Sequence, residues 1–484
     1  MKTKNLNLKK SEMRIRRGCN LSVVIAATAA WAAIAVSPAL VRQLRAQDLP
    51  DAAAQVEALA GQLREGRPKL ALALSGPLAE SRPQSGEIQA LHGFALLDCG
   101  EFEEAQKRFQ LAVTLAPDMP EGHLGLGELA YGRSHCEDAR VHLRRALASR
   151  HLKLRAFLSL SRCLSALNRH AEAKAVLLRA LDEVERLSGN EESRIVENIK
   201  VSGALADTHL YEVEDSPEST ALGFTNWKGH VLVPAKLNGE DVGKLHLDLG
   251  SSGSLTISRK LADKLHLRAI GRRTGRNVKQ EYTADLALLE SLHFGAMVVR
   301  NVPVAILPEA EFVGGAAGNL GNQVLRRLNL TIDYRESKLH LFSRKHADLQ
   351  DALIDPRRSS QRVPFLATKL IILKARINGA DLVPFILDSG AGACVLDSAY
   401  FHEKIRPRAG SDGASASQKP MPYMLDSLEI GGKVFRNALS VVLDLSDLYE
   451  YAKMYYPGII GNNVFQNAAL HLNFADSTLV IESS

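Results

Sequence analysis

The sequence predicts two fold classes in one chain, an all-α helical-repeat solenoid followed by an all-β pair of duplicated lobes. Three observations carry that prediction. Small and apolar residues between about 52 and 187 recur every 34 positions. From residue 223 onward strand-like alternation replaces the helical spacing, and the landmarks of one segment reappear 140 positions later. The chain is also long enough, at 484 residues, for two or three domains with full cores. The expected division is a leader at 1–47, a repeat domain at 48–205, a linker at 206–222, a first lobe at 223–350 and a second at 351–484.

The leader explains the charge. The net charge is +6, and residues 1–17 hold seven Lys or Arg against Glu12 alone, so the rest of the chain is neutral overall. The basic footprint of a nucleic-acid binder is missing, and no nucleic-acid partner is expected. An uncharged, largely apolar run follows from Gly18 to Val41. It is long enough for a bilayer span of about 20 residues, while Ala33-Ile34-Ala35 and Leu44-Arg45-Ala46 offer small residues to a signal peptidase. Two outcomes stay open, a cleaved export signal or a membrane tether. Both place the domains outside the cytoplasm, in a periplasmic or inner-membrane setting of a bacterial envelope. The five cysteines show no C-x-x-C pair or metal-ligand spacing and read as small buried fillers.

Within 48–205 the repeat is explicit. Ala105, Ala139 and Ala173 form one series; Ala112, Ala146 and Ala180 a second; Phe109, Leu143 and Leu177 a third; Gly93 and Gly127 keep the same register. Small side chains at fixed places let paired helices approach, with Phe or Leu filling the gap. A degenerate copy begins near Ala52, with Gly66, Ala71 and Pro83 in step. These residues resemble tetratricopeptide repeats, which implies a curved solenoid binding a protein or peptide partner, or one that merely spaces the remaining domains. Gly122-His123-Leu124-Gly125-Leu126-Gly127 has no strand before it, so it reads as repeat helix and not as a dinucleotide loop. The polar stretch Ala206–Leu222, with Pro217, reads as an exposed linker.

Duplication governs the rest. Asn238-Gly239 and Asn378-Gly379 are hairpin signals, Asp248-Leu249-Gly250 and Asp388-Ser389-Gly390 each follow an apolar strand, and Gly321 and Gly461 each lie 73 residues beyond their aspartate. Gly295 with Gly431, and Asn301 with Asn437, match at an offset of 136, the difference falling in a loop.

Each copy is similar to the retropepsin-like lobe of pepsin-like aspartic proteases, in which an Asp-Thr/Ser-Gly loop is backed by a later apolar-apolar-Gly motif. Ile459-Ile460-Gly461 fits that second motif; Asn319-Leu320-Gly321 departs from it at the polar Asn319. The resemblance implies a water activated between Asp248 and Asp388, a peptide or protein substrate, and no cofactor or metal. It also implies loop support from Gly250, Ser251, Ser389, Gly390, Gly321 and Gly461. Two nearby carboxyls cannot both ionise cheaply, so they share a proton, leaving one as base and one as acid. Arg268–Thr283 and Arg406–Met421 occupy the place of flaps, or are simply solvated loops, with Tyr282 as a candidate roof over the substrate. Leu249 stands where the resembled family carries a hydroxyl that locks the lobes together. Two readings therefore remain, an aspartic endopeptidase and a non-catalytic peptide-binding scaffold.

Overall fold

The computed structural model describes residues 52–276, 281–405, 420–446 and 454–483. The leader and its apolar run lie outside the described residues, among which no helix is long and apolar enough to cross a membrane.

The described chain opens with nine helices: α1 (Ala52–Glu65), α2 (Pro68–Ser81), α3 (Gly86–Asp98), α4 (Phe102–Leu115), α5 (Pro120–Gly132), α6 (Cys136–Ala146), α7 (Lys153–Ala166), α8 (His170–Glu183) and α9 (Gly189–Ala204). Local chemistry sets several starts. Proline occupies the first turn of α2 and α5, where its missing N–H costs nothing. Ser85 caps α3, and Ser188 with Glu191 forms a capping box on α9. The 34-residue period is a packing period. All six of its alanines are fully buried, and Phe109, Leu143 and Leu177 fill the spaces beside them. Gly93 on α3 and Gly125 on α5 clamp Phe109 on α4: a Cβ would sit 2.7 Å and 2.2 Å from its ring. Gly125 lies within α5, as expected for a repeat helix. Gly125→Ala should therefore destabilise the protein by about 1–3 kcal/mol through overpacking, measured by urea unfolding.

The register that includes Gly66 continues through a second series with the same period. Gly66, Gly100, Ser134 and Asn168 all have left-handed backbone, with φ of 71°, 78°, 65° and 58°, and each follows the first helix of a hairpin. Three of these turns dock on the β region. A Cβ on Gly100 would lie 2.4 Å from Pro384, Arg326 donates to Ser134 Oγ at 3.3 Å, and Leu210 N–H donates to Asn168 Oδ1 at 2.9 Å. Lys374 with Glu101 at 2.7 Å reinforces the same contact.

The β region is two-lobed and built almost wholly of strands. One lobe is built on a nine-stranded sheet and the other on a seven-stranded sheet, and a six-stranded sheet joins them. The joining sheet pairs strand Leu328–Asp333 of the first copy with strand Ala468–Asn473 of the second. At its centre Thr331 Oγ1 meets His471 Nδ1 at 3.0 Å, two positions 140 apart in sequence. A single apolar core runs through both lobes and includes Leu247, Leu249, Leu320, Leu387, Ile460 and Leu472.

The duplicated turns are built alike. Asn238 and Gly239 have φ of 49° and 81°, Asn378 and Gly379 48° and 73°, the doubly left-handed turn that Asn-Gly favours. Each asparagine side chain accepts from the next hairpin, Asn238 from Ser291 N–H at 3.1 Å and Asn378 from Ser427 N–H at 3.0 Å.

The segment 206–222 departs from the expected exposed linker. Glu212–Val213 pairs with Arg300–Val299, and Ser219–Gly223 pairs with the strand Lys338–Ser343. Sheet edges carry unpaired N–H and C=O groups, and this polar segment satisfies some of them.

Candidate active site

Two apolar strands deliver the two aspartates. Strand Glu240–Asp248 ends at Asp248 beside the parallel strand Gly318–Gly321, with Gly321 opposite Asp248. Strand Val383–Leu387 leads to Asp388 beside the parallel strand Gly458–Ile460, and Asp388 N–H donates to Ile460 O at 3.0 Å. Behind each aspartate the chain crosses itself. Asn322 N–H donates to Ser251 O, and Asn462 N–H to Ala391 O, both at 2.9 Å. A Cβ on Gly321 would lie 2.5 Å from Gly253 O, and one on Gly461 2.4 Å from Ala393 O. These crossings admit only glycine, which gives Gly321 and Gly461 a steric role. Ser251 shapes the first loop: its N–H donates to Asp248 O at 3.2 Å, and its hydroxyl accepts from Gly253 N–H at 3.4 Å.

The loops bring the carboxyls together: a Cβ on Gly390 would lie 2.5 Å from Asp248 Oδ1 and 2.9 Å from Asp388 Oδ1. Asp388 Oδ1 accepts from Gly390 N–H at 2.6 Å and from Gly250 N–H, across the lobe boundary, at 3.1 Å. The glycines do more than allow a tight turn, and neither is left-handed. A Cβ on Gly250 would be 2.2 Å from Asp388 Cγ, and one on Gly390 2.5 Å from Asp248 Oδ1. Each lobe's glycine makes room for the other lobe's carboxyl. Burial pushes the Asp248 carboxyl above the usual range. Burial and then the neighbouring Asp248 charge push Asp388 up, against the lowering effect of its N–H donors. One proton shared between the two carboxyls is the state such a pair prefers near neutral pH.

The interlobe lock is half built. Ser389 Oγ accepts from Leu249 N–H at 2.9 Å and donates to Leu247 O at 2.8 Å. Leu249 returns no such bond and is instead wholly buried in the core. Ser389→Ala should leave the Leu249 N–H unpaired in a dry site and cost about 1–3 kcal/mol, read as a lower denaturation midpoint with both carboxyls still present.

Three polar residues whose part in the site sequence reasoning missed extend from Asp248. Asn319 Nδ2 donates to Asp248 Oδ2 at 3.0 Å. Asn319 Oδ1 faces His246 Nδ1 at 3.0 Å, and His246 Nε2 faces His230 Nδ1 at 3.2 Å. The sequence did carry a signal. The positions 140 further on are Ile459, Ile386 and Leu370, which pack together as an apolar cluster in the second lobe. Polar residues in slots that the sister copy fills with hydrocarbon call for a reason.

The flap-like segment of the first lobe is a β-hairpin in which strand Ala269–Arg276 pairs with strand Glu281–Phe294. Tyr282 stands opposite Gly275 with its ring against it, since a Cβ there would be 2.6 Å from the ring. The first strand of this hairpin packs on α9, so the helical region holds it from one side. Residues 277–280 and 406–419, which belong to the two segments expected as flaps or loops, lie outside the described residues.

Fold and site together define a two-lobed, aspartic-protease-like class of protein. Residues 233–324 and 373–464 both match the aspartyl protease family model, and the two matches begin and end 140 residues apart. Among solved structures the chain is similar to an aspartic proteinase from Irpex lacteus, at 12% identity and a TM-score of 0.38, covering 55% of this chain and 97% of that one. It is also similar to Basic 7S globulin from soybean, at 12% identity and a TM-score of 0.35, covering 55% and 95%. No curated protein matches the sequence.

Proposed function

We propose that the protein is an aspartic endopeptidase that hydrolyses peptide bonds with a water held between Asp248 and Asp388. The observation that carries this reading is the reciprocal fit of the two loops: each carboxyl sits against the other lobe's glycine, so that the two carboxyls face each other. One carboxylate takes a proton from the water as it attacks the carbonyl carbon. The other, protonated, gives its proton to the carbonyl oxygen, and the leaving amine is protonated as the intermediate collapses. No covalent enzyme intermediate is needed. The raised affinity of both carboxyls for protons favours the singly protonated pair at higher pH than two isolated aspartates would allow.

The helical region is read as tetratricopeptide-like and as the surface that recruits the substrate or a protein partner. Supporting this is a cavity of about 1230 Å³ between the helices and the first lobe, lined in part by Arg155, Arg162, Arg194, Arg273 and Lys369. The basic leader and the apolar run from Gly18 to Val41 support export, with the domains outside the cytoplasm and with or without a retained membrane tether. The test is a diverse peptide pool incubated with wild type and with Asp388→Asn at several pH values. Cleavage by wild type alone supports the reading. Equal cleavage by both, or none by wild type, sinks it in favour of a peptide-binding scaffold.

A further inference from the structure

We propose that Asn319, His246 and His230 are positioning residues that hold Asp248 as the ionised member of the pair, making Asp248 the base that accepts the proton from water and Asp388 the acid. This rests on the peptidase reading above and says which carboxyl plays which part.

Asn319 presents an N–H to Asp248 Oδ2 at 3.0 Å, so that oxygen is an acceptor. The Asn319 oxygen facing His246 Nδ1 is an acceptor as well, so the ring nitrogen carries a hydrogen. With His246 neutral its Nε2 accepts, and His230 Nδ1 must supply the hydrogen between the two rings. The Nε2 edge of His230 turns towards the second lobe, where a Cβ on Gly392 would be 3.1 Å away, and the backbone of Gly390 favours the charged form of the ring. These three side-chain contacts are made with both rings neutral, and all three are kept when Nε2 of His230 takes up a further proton. That proton gives the ionised Asp248 a cation at the far end of the chain and an N–H donor at the near end. Asp388 takes main-chain N–H groups from Gly390 and Gly250 on Oδ1, and a charge on His246 favours its ionised form too, but it has no side-chain amide corresponding to Asn319. The positions matching this chain in the second lobe are Ile459, Ile386 and Leu370, so the asymmetry is built into the fold.

The charged and titratable groups around the rings, among the described residues, are few. Asp388 faces His246 and favours its charged form. Asp248 stands beyond Asn319, and Lys228, adjoining on the turn before His230, lies over the Trp227 ring at 4.9 Å. Burial lowers the proton affinity of both rings; the Asn319 bond and Asp388 oppose this at His246, and the Gly390 backbone opposes it at His230. The extra proton is therefore taken up on the acid side of neutrality. There it opposes protonation of Asp248 and extends activity to lower pH.

Two measurements test the proposal. The first is the pH profile of Asn319→Ile, which copies the second lobe. The acid limb of kcat should move up by about one pH unit, so that rates on that limb fall about tenfold, with KM within twofold, while the melting temperature falls because the buried His246 Nδ1 loses its acceptor. The second needs no activity: ring-nitrogen NMR of His230 and His246 in wild type and in Asp248→Asn. Loss of the carboxylate should lower the midpoint of the ring pair by half a unit or more. The proposal is overturned if Asp248→Asn leaves ring titration unmoved. That result would mean the opposite arrangement, with the Asn319 amide turned over, Asp248 protonated and both rings neutral. It is also overturned if Asn319→Ile keeps the wild-type acid limb. A wild type that cleaves nothing sinks the peptidase reading, while ring titration coupled to Asp248 would still uphold the chain's hold on that carboxyl.

Discussion

Asp388→Asn should lower kcat about 10³- to 10⁴-fold, the scale of a lost general acid, and should raise the melting temperature at neutral pH. The first effect follows from the role proposed for Asp388, giving its proton to the carbonyl oxygen. An asparagine can still accept the N–H groups of Gly390 and Gly250 and donate towards Asp248, so the loops keep their form and substrate affinity changes little. The second effect follows from linkage. Asp388 is held above the usual carboxylate range by burial and by the Asp248 charge. A carboxyl raised in this way contributes stability that is present below its unfolded value and lost as pH rises through the folded one. The amide escapes that loss. Thermal melts of wild type and variant should therefore nearly coincide at about pH 4 and separate by a few degrees at about pH 8, with the variant higher. A variant that is inactive but less stable at pH 8 would count against two carboxyls sharing a proton.

Gly250→Ala should cost about 100-fold or more in kcat/KM without removing any reacting group. The methyl would fall 2.2 Å from Asp388 Cγ, so the carboxyl or the loop must retreat by more than 1 Å, and displacement on that scale is enough for such a loss. Gly390→Ala should act in the same way on Asp248, where the methyl would fall 2.5 Å from Oδ1. Gly239→Ala is the control. Its left-handed φ of 81° makes alanine strained, but nothing lies within 4 Å of the new methyl, so the fold is weakened by roughly 1 kcal/mol and turnover is kept. Peptide hydrolysis compared across the three variants separates a glycine needed at the site from one needed by the backbone.

Much of the architecture was legible in the order of residues because it is periodic. The 34-residue spacing of alanines marks the places where helices touch, and burial of all six alanines follows from that contact. The 140-residue offset marks a duplicated lobe, and so placed both aspartates, both Asn-Gly turns and both crossing glycines. What escaped were features that depend on which copy meets which partner. The segment 206–222 is polar, as a linker is, and becomes edge strand only because two sheet edges lie within its reach. The turn residues Ser134 and Asn168 resemble ordinary loop residues, and their docking on Arg326 and Leu210 depends on how the solenoid rests on the lobes.

By itself the sequence determined that this protein is a helical-repeat region joined to two aspartate-bearing lobes, since hydrophobic period and internal repetition are properties of residue order alone. Tertiary structure decided the rest of the site. It showed that each glycine serves the opposite carboxyl, that Ser389 reaches the first lobe's loop while Leu249 turns inward, and that His230, His246 and Asn319 line up behind Asp248. The physical reason is range. Helix and strand patterns are written within a few residues, whereas a hydrogen bond or a 2 Å steric limit between residues 140 apart exists only once the two lobes have met.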